Sequence, residues 1–103
     1  MAGINRGFNP KDAVSPKAHW QLIDVLYECE WWSMALGRWG DRDNEWRPVL
    51  AQRWNGGEGE KGNPMSHGYP TWFVVPDDTY GMYLESEFIP EGKRALVKAV
   101  LGL

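Results

Sequence analysis

The sequence predicts an α+β fold in which a three- to four-stranded antiparallel sheet has an N-terminal and a C-terminal helix packed on one face. Three observations support this fold. Residues 32–54 contain two segments with the alternation of β-strands, and residues 16–30 and 90–101 have apolar residues at helical spacing. A chain of 103 residues has room for one hydrophobic core. We therefore expect a single domain, and because seven residues are tryptophan, we expect a tryptophan-rich sheet.

The N-terminal part of the chain predicts an arm followed by a helix. Residues 1–14 show no sustained periodicity, which favours an irregular arm. Ser15 and Pro16 are the residue types preferred at a helix N-cap and at the first helical position. At about 100° per residue, the apolar residues that follow fall on one side: His19, Trp20, Leu22, Ile23, Leu26 and Tyr27. The pattern therefore predicts an amphipathic helix over residues 16–30.

The next segment predicts a β-hairpin. From Trp32 onward, larger apolar residues alternate with small ones, as in a strand that is half buried. Residues 40–45 are typical of a polar turn, and residues 46–54 again have an extended pattern. Pro48 has no amide donor, so it should lie at a strand start, an edge or a bulge.

The second half of the chain predicts a loop, further strands and a helix. Residues 55–70 contain five glycines and two prolines, which predicts a long Gly-rich loop. Residues 71–75 are continuously apolar, as in a central strand covered on both faces. Residues 80–88 fit either a fourth strand or a short helix capped by Asp77. The last helix begins at Pro90, and its apolar content predicts packing over much of its circumference.

Composition excludes several functional classes. The net charge of −3 argues against a protein that coats nucleic acid or an anionic membrane. No segment approaches the roughly 20 apolar residues of a membrane-spanning helix, so we expect no membrane insertion. Cys29 is the single cysteine, which predicts a small buried apolar residue in a reducing compartment such as the cytoplasm. One cysteine and two distant histidines provide no metal-binding spacing, so we expect no metal and no cofactor.

Three hairpin tryptophans are the first candidate binding residues. An extended pattern with Trp39 opposite Trp46 would make them a cross-strand pair, with Trp54 continuing their face. If the helices cover this face, the rings belong to the core. If the face is open, they form an aromatic platform for a protein partner or a small ligand. The sequence leaves both alternatives open.

Arginines accompany these tryptophans. In the same register Arg38 would face Arg47, and Arg53 would share that face if the strand register allows it. Two like charges directly opposite each other are destabilising unless an anion joins them. We expect an intramolecular carboxylate in preference to a phosphate or a carboxylate of a partner.

The long loop contains the remaining candidates. Its glycines do not follow the order of a phosphate-binding loop, and its two glutamates would repel a phosphate. His67 and Tyr69 are its most chemically capable residues and are assigned to the binding surface. An alternative is a small enzyme whose site combines His67 with Asp77 and Asp78 around a cleft.

Short motifs support a further expectation. Gly37-Arg38-Trp39, the Arg-Trp-Asn-Gly segment at 53–56 and the Pro-Thr-Trp-Phe segment at 70–73 resemble short uncharacterised bacterial proteins of mobile or accessory genes. The resemblance implies a bacterial source and brings no activity with it.

Taken together, surplus aromatic residues without a catalytic constellation favour a non-enzymatic binding module. Its partner would be a protein or a small molecule, with a homodimer through the same patch as a variant. Binding of single-stranded nucleic acid would conflict with the acidic balance of the chain.

Overall fold

A computed structural model describes residues 3–40 and 45–103 and confirms the α+β fold. A short 3-10 turn, Pro10–Asp12, lies near the N-terminus. The elements are β1 (Trp20–Glu28), β2 (Trp32–Trp39), β3 (Arg47–Trp54), β4 (Met65–Ser66), β5 (Tyr69–Pro70), β6 (Phe73–Val74), α1 (Tyr80–Leu84) and α2 (Glu91–Leu101). A four-stranded antiparallel sheet has the order β1-β2-β3-β6, and β4 and β5 form a separate ribbon.

The helix predicted over residues 16–30 is wrong, because most of this segment is the edge strand β1. Pro16 does begin a turn: its carbonyl accepts hydrogen bonds from the amides of His19 and Trp20 at 2.9 and 2.8 Å. β1 then pairs with β2, with register shifts between Leu22 and Asp24 and between Val25 and Tyr27. These irregularities interrupt strict alternation, so the apolar residues of a strand acquired a helix-like spacing.

The β2–β3 hairpin is confirmed, but its predicted register is wrong by one residue. Trp39 pairs with Arg47, and Arg38 pairs with Pro48. Pro48 is the second residue of β3. At this position β3 is not yet paired with β6, so no backbone amide is needed as a donor toward β6. The predicted turn at 40–45 falls largely on residues 41–44, which lie outside the described residues.

One face of the sheet is covered by α1 and α2. Leu36 and Leu50 are a cross-strand pair that is fully buried in the same core as Val97 of α2. The side-chain amide of Gln52 donates to the Tyr83 hydroxyl at 2.8 Å, which joins β3 to α1. Lys93 of α2 forms an ion pair with Asp24 of β1 at 2.7 Å. Residues 80–84 are helical, so the helical alternative is correct, but the predicted cap by Asp77 is wrong: Thr79 precedes the helix and no side chain caps its N-terminus.

The opposite face is covered by the N-terminal arm and by the segment before β6. Gly37 lacks a side chain, and the ring of Trp20 occupies the space above it. Trp72 stacks on Trp20 with 5.9 Å between ring centroids, and its indole nitrogen donates to the Ala13 carbonyl at 2.7 Å. The arm, and not an N-terminal helix, therefore supplies the N-terminal cover of the sheet.

Two predictions about burial in the second half are wrong. β6 is an edge strand of two residues whose Phe73 is exposed, not a central strand covered on both faces. α2 contacts the core mainly through Val97, while Leu96 faces outward, so the helix is not packed over much of its circumference. Within the described ranges, no helix has the length and apolarity needed to cross a membrane.

Candidate functional site

The three candidate tryptophans of the hairpin do not form one platform. Because Trp39 pairs with Arg47 and Trp54 pairs with Trp32, alternation places Trp39 and Trp54 on opposite faces. Trp46 precedes β3 and packs its ring over Gly40. The predicted cross-strand pair of Trp39 with Trp46 is therefore wrong.

Trp39 lies beside a histidine at the far end of the hairpin. The rings of His19 and Trp39 stack at 5.7 Å between centroids, and His19 Nδ1 donates to the Gly40 carbonyl at 2.9 Å. Glu45 and Arg47 border the same depression, next to residues 41–44 in the sequence. Half-burial and a backbone hydrogen bond give His19 a structural role.

Arg38 and Arg53 also lie on opposite faces, so the predicted arginine cluster is wrong. Arg38 is exposed opposite Pro48, whereas Arg53 is only 2% exposed. Since Arg38 does not face Arg47, the expected like-charge contact is not formed, and no anion is needed to join them.

The guanidinium of Arg53 binds backbone carbonyls. Its Nε donates to the Thr71 carbonyl at 3.0 Å, its Nη2 donates to the Lys61 carbonyl at 2.6 Å, and its Cζ lies 5.5 Å from the centroid of the Phe8 ring. Its Nη1 is buried without a hydrogen-bond partner, and no carboxylate among the described residues forms an ion pair with the guanidinium. Burial lowers the pKa of Arg53. Arg53 therefore fastens the long loop and the arm to the sheet.

An aromatic groove lies at the other end of the hairpin, with a cavity volume of ≈ 420 Å³. This volume is in the usual range for ligand pockets. β2 begins with Trp32 and β3 ends with its partner Trp54, so the two rings flank the groove on the helix-covered side of the sheet. We use "aromatic groove" for the cavity lined chiefly by Trp32, Trp54, Pro64, Phe73, Tyr83 and Phe88.

Backbone pairing brings the loop residues to this groove. The amide and carbonyl of Trp54 bond to the carbonyl and amide of Asn63 at 2.7 and 3.1 Å, which sets Pro64 beside the strand end. Pairing of Phe73 with Gln52 places the Phe73 ring at the opposite rim. Trp54 and Phe73 are 62% and 58% exposed.

One wall of the groove is held rigid by aromatic packing. Trp32 lies 4.8 Å from Tyr27 and 5.0 Å from Phe88 between ring centroids, and Tyr27 lies 5.0 Å from Phe88. Burial raises the pKa of Tyr27, and a hydrogen bond with Cys29 and the charge of Glu87 raise it further. The cluster keeps this wall in place without a ligand.

The other predicted site residues are in exposed turns. His67 and Gly68 form the tip between β4 and β5, with φ of 51° and 81°, as the residues of a type I′ hairpin turn have. Tyr69 follows the tip and is exposed, and Asp77 and Asp78 belong to a second 3-10 turn after β6. None of these four side chains lines the aromatic groove.

The sequence did not reveal the groove because its walls come from separate elements. The pattern places Trp32 at the start of a strand and Phe73 in a central strand covered on both faces, so it predicts neither ring at a groove. The sequence did contain one signal for the groove. Had the predicted hairpin register been shifted by one residue, it would have paired Trp32 with Trp54. Tyr83 and Phe88 had no such signal, because they reach the groove only through the packing of α1 and the segment after it.

No protein-family model, curated protein or solved structure matches this chain. The resemblance to short bacterial proteins of mobile or accessory genes thus stays a prediction, and the argument for function depends on the groove.

Proposed function

We propose that this protein is a non-enzymatic binding module that holds a protein partner or a small ligand in the aromatic groove. The observation that carries the proposal is that Trp54 and Phe73 remain more than half exposed at the rim of a concave aromatic cavity. Large apolar side chains that stay exposed together around a cavity are typical of interaction sites.

The shape of the groove favours binding because its walls are already formed. The Tyr27–Trp32–Phe88 cluster fixes one wall, and the hydrogen bond between Gln52 and Tyr83 ties the base of the groove to α1. A ligand that enters preformed walls loses less free energy to the ordering of side chains than one that must order them.

The chemistry of the groove supports binding over catalysis. Among its lining residues, Arg53 has its guanidinium bound to two carbonyls and the Tyr83 hydroxyl accepts from Gln52. The alternative enzyme would use His67 with Asp77 and Asp78, which lie in exposed turns. The groove offers a shaped apolar surface and no nucleophile next to a base among its described lining residues.

We further propose that the module works in a reducing, cytoplasmic compartment of a bacterium and that it comes from a mobile or accessory gene. Cys29 is buried and free, as expected for a small apolar residue, and a free thiol is typical of reducing compartments. The bacterial source is supported only by the sequence motifs at residues 37–39, 53–56 and 70–73.

Two exposed tryptophans provide a matched test of the proposal. Trp31 and Trp54 are 61% and 62% exposed, but only Trp54 lines the groove. We expect small aromatic fragments to shift the indole N–H resonance of Trp54 in NMR spectra of the intact chain. Trp54→Ala should weaken the tightest fragment by at least about tenfold, which corresponds to about 1.4 kcal/mol, whereas Trp31→Ala should leave its affinity unchanged.

Equal affinities of the fragments for the wild type, Trp54→Ala and Phe73→Ala would contradict binding in the aromatic groove. Sedimentation at increasing concentration tests the homodimer variant: a dimer that Trp54→Ala dissociates and Trp31→Ala retains would assign the groove to a second copy of the chain.

A further inference from the structure

Arg53 is the one charged residue among the described residues that line the aromatic groove. It is only 2% exposed, and its Nε and Nη2 donate to the carbonyls of Thr71 and Lys61 at 3.0 and 2.6 Å. Its Nη1 is buried and bonds to no acceptor in the described part of the chain. A buried donor without a partner is costly, and more so when the group is charged. An acceptor supplied by a ligand would satisfy this nitrogen.

Strand pairing places the guanidinium beside one rim of the groove. Gln52 pairs with Phe73 and Trp54 bonds to Asn63, so the neighbour of β3 changes at Arg53. Alternation turns the Arg53 side chain away from the face that carries Trp54. The two carbonyls that bind the guanidinium lie two residues before Asn63 and two residues before Phe73. The positive charge is therefore held at the junction of these two lining segments.

This charge selects a single negative charge in the ligand. No carboxylate within residues 3–40 and 45–103 forms an ion pair with Arg53, and a buried charge without a partner of opposite sign is destabilising. The guanidinium has one nitrogen without a partner, and no second cation is among the described lining residues. A phosphate dianion would leave one of its charges unmatched, whereas a carboxylate matches the guanidinium in charge and hydrogen bonding.

The walls of the groove select a flat apolar body for the same ligand. Trp54 and Phe73 are more than half exposed at the rim, and Trp32 and Phe88 form an edge-to-face pair in one wall. Aromatic rings gain from offset-stacked and edge-to-face contacts with such walls. The cavity of ≈ 420 Å³ has the volume of a site for a small molecule.

We propose that the aromatic groove binds a small aromatic carboxylate, with its ring between Trp54 and Phe73 and its carboxylate accepting from Nη1 of Arg53. This inference rests on the proposed function and names the class of the ligand. Because Nη1 is enclosed in the free protein, binding includes a small shift of the exposed loop residue Asn63.

The test compares ligands that share a ring system and differ in charge. Naphthoate, neutral naphthamide and cationic naphthylmethylamine are titrated into the intact wild-type chain. Calorimetry measures the affinities, and the resonances of the indole N–H groups, the Arg53 Nε–H and the Asn63 amide report the site. We expect all three resonances, including the Trp54 indole, to shift with naphthoate. Naphthoate should bind at least about tenfold more tightly than naphthamide, and naphthylmethylamine should bind most weakly.

Variants separate the charged and apolar contributions. Arg53→Gln removes the charge and should reduce the preference for naphthoate over naphthamide to about twofold or less, whereas Trp54→Ala should weaken both ligands by about tenfold. Arg38→Gln changes an exposed arginine at the other end of the hairpin and should keep the wild-type preference. Unshifted Trp20 and Trp72 resonances show that each variant retains the fold. If Arg53→Gln does not fold, the comparison of naphthoate with naphthamide in the wild type decides.

The failures of the two proposals are distinguishable. If naphthoate and naphthamide bind equally and both shift Trp54, the inference is overturned and the binding module stands. Tighter binding of naphthyl phosphate than of naphthoate would overturn it in favour of a phosphate ligand. Tighter binding of a peptide with a C-terminal tryptophan carboxylate would overturn it in favour of a protein C-terminus. If no ligand shifts Trp54, both proposals are overturned.

Discussion

Asn55 joins three segments of the chain through hydrogen bonds. Its side-chain Oδ1 accepts from the Ser33 hydroxyl at 2.7 Å, and its Nδ2 donates to the Cys29 carbonyl at 2.8 Å. Its backbone amide donates to the Trp31 carbonyl and its carbonyl accepts from the Phe8 amide, at 2.8 and 2.9 Å. One fully buried amide thus connects the end of β3, the β1–β2 connection and the arm.

Replacing this amide should be costly because both side-chain partners are buried. Asn55→Ala leaves the Ser33 hydroxyl and the Cys29 carbonyl without their partner, and we expect a loss of about 2–4 kcal/mol in the free energy of unfolding. Urea unfolding followed by circular dichroism measures it. Asn9→Ala is the control: Asn9 is exposed and caps the 3-10 turn through the Lys11 amide, so its loss should be about 1 kcal/mol or less. Equal losses for the two variants would contradict the role of Asn55.

Arg53 shows what residue types alone leave undetermined. The sequence predicted only that Arg53 shares a face with other arginines if the register allows it, and the carboxylate was expected between Arg38 and Arg47. The structure provides the carbonyls of Thr71 and Lys61, which belong to a loop whose path back to β3 depends on left-handed glycines such as Gly56 and Gly62. Every residue has a backbone carbonyl, so no side-chain pattern identifies these acceptors.

At the scale of elements, the sequence predicted β2, β3 and α2 well because each has a regular pattern and clear boundaries. β1 failed because its bulges shift the inward-facing residues, and apolar residues at 22, 23, 26 and 27 match a helical face as well as a bulged strand. Pairing with β2 decided between the two, and pairing is a non-local property.

The candidate platform failed for a related reason. A shift of one residue in a hairpin exchanges the two faces of a strand. The actual register separates Trp39 from Trp54 and unites Trp54 with Trp32. Trp54 stays a candidate binding residue because it lines the aromatic groove, whereas Trp39 and Trp46 lie elsewhere.

Two glycines test how β1 and the arm pack on the sheet. A Cβ at Gly37 would collide with the Trp20 ring, while a Cβ at Gly92 in α2 would meet nothing within 4 Å. We expect Gly37→Ala to lower the free energy of unfolding by about 1–3 kcal/mol, because the buried ring must move. Gly92→Ala should raise it by up to about 1 kcal/mol through helix propensity. Thermal unfolding gives the sign of both, and a stabilising Gly37→Ala would refute the packing of Trp20 on β2.

At the scale of the whole molecule, the groove exists only when distant segments have come together. Trp32 and Trp54 come from the hairpin, Pro64 from the loop, Phe73 from the edge strand, and Tyr83 and Phe88 from the helical segment. Different segments cover the two faces of the sheet. The helices α1 and α2 lie over Leu36 and Leu50, and the arm lies on the face that carries Trp20. Composition could indicate surplus aromatic residues, but only the assembled fold selects which of them stay exposed.

The global stability of the fold should depend on pH through Tyr80, the buried first residue of α1. Burial raises the pKa of Tyr80 and the nearby Asp77 adds to the shift, while the backbone of Leu50 and the charge of Arg47 oppose it. In the unfolded chain a tyrosine ionises near pH 10. Above that pH the unfolded state loses its proton before the folded state does, so the contribution of Tyr80 to stability is complete below about pH 10 and decreases as pH rises through the folded pKa.

Tyr80→Phe removes this proton and should therefore reduce the decrease in the free energy of unfolding between about pH 8 and pH 11. Part of the decrease should remain, because the pKa of Tyr27 is raised as well. Urea unfolding at several pH values in this interval gives the slopes. Tyr69→Phe alters a side chain that is 63% exposed and should keep the wild-type slope. If Tyr80→Phe and the wild type lose stability in parallel across the interval, the buried hydroxyl does not retain its proton and Tyr80 does not control the alkaline limit of the fold.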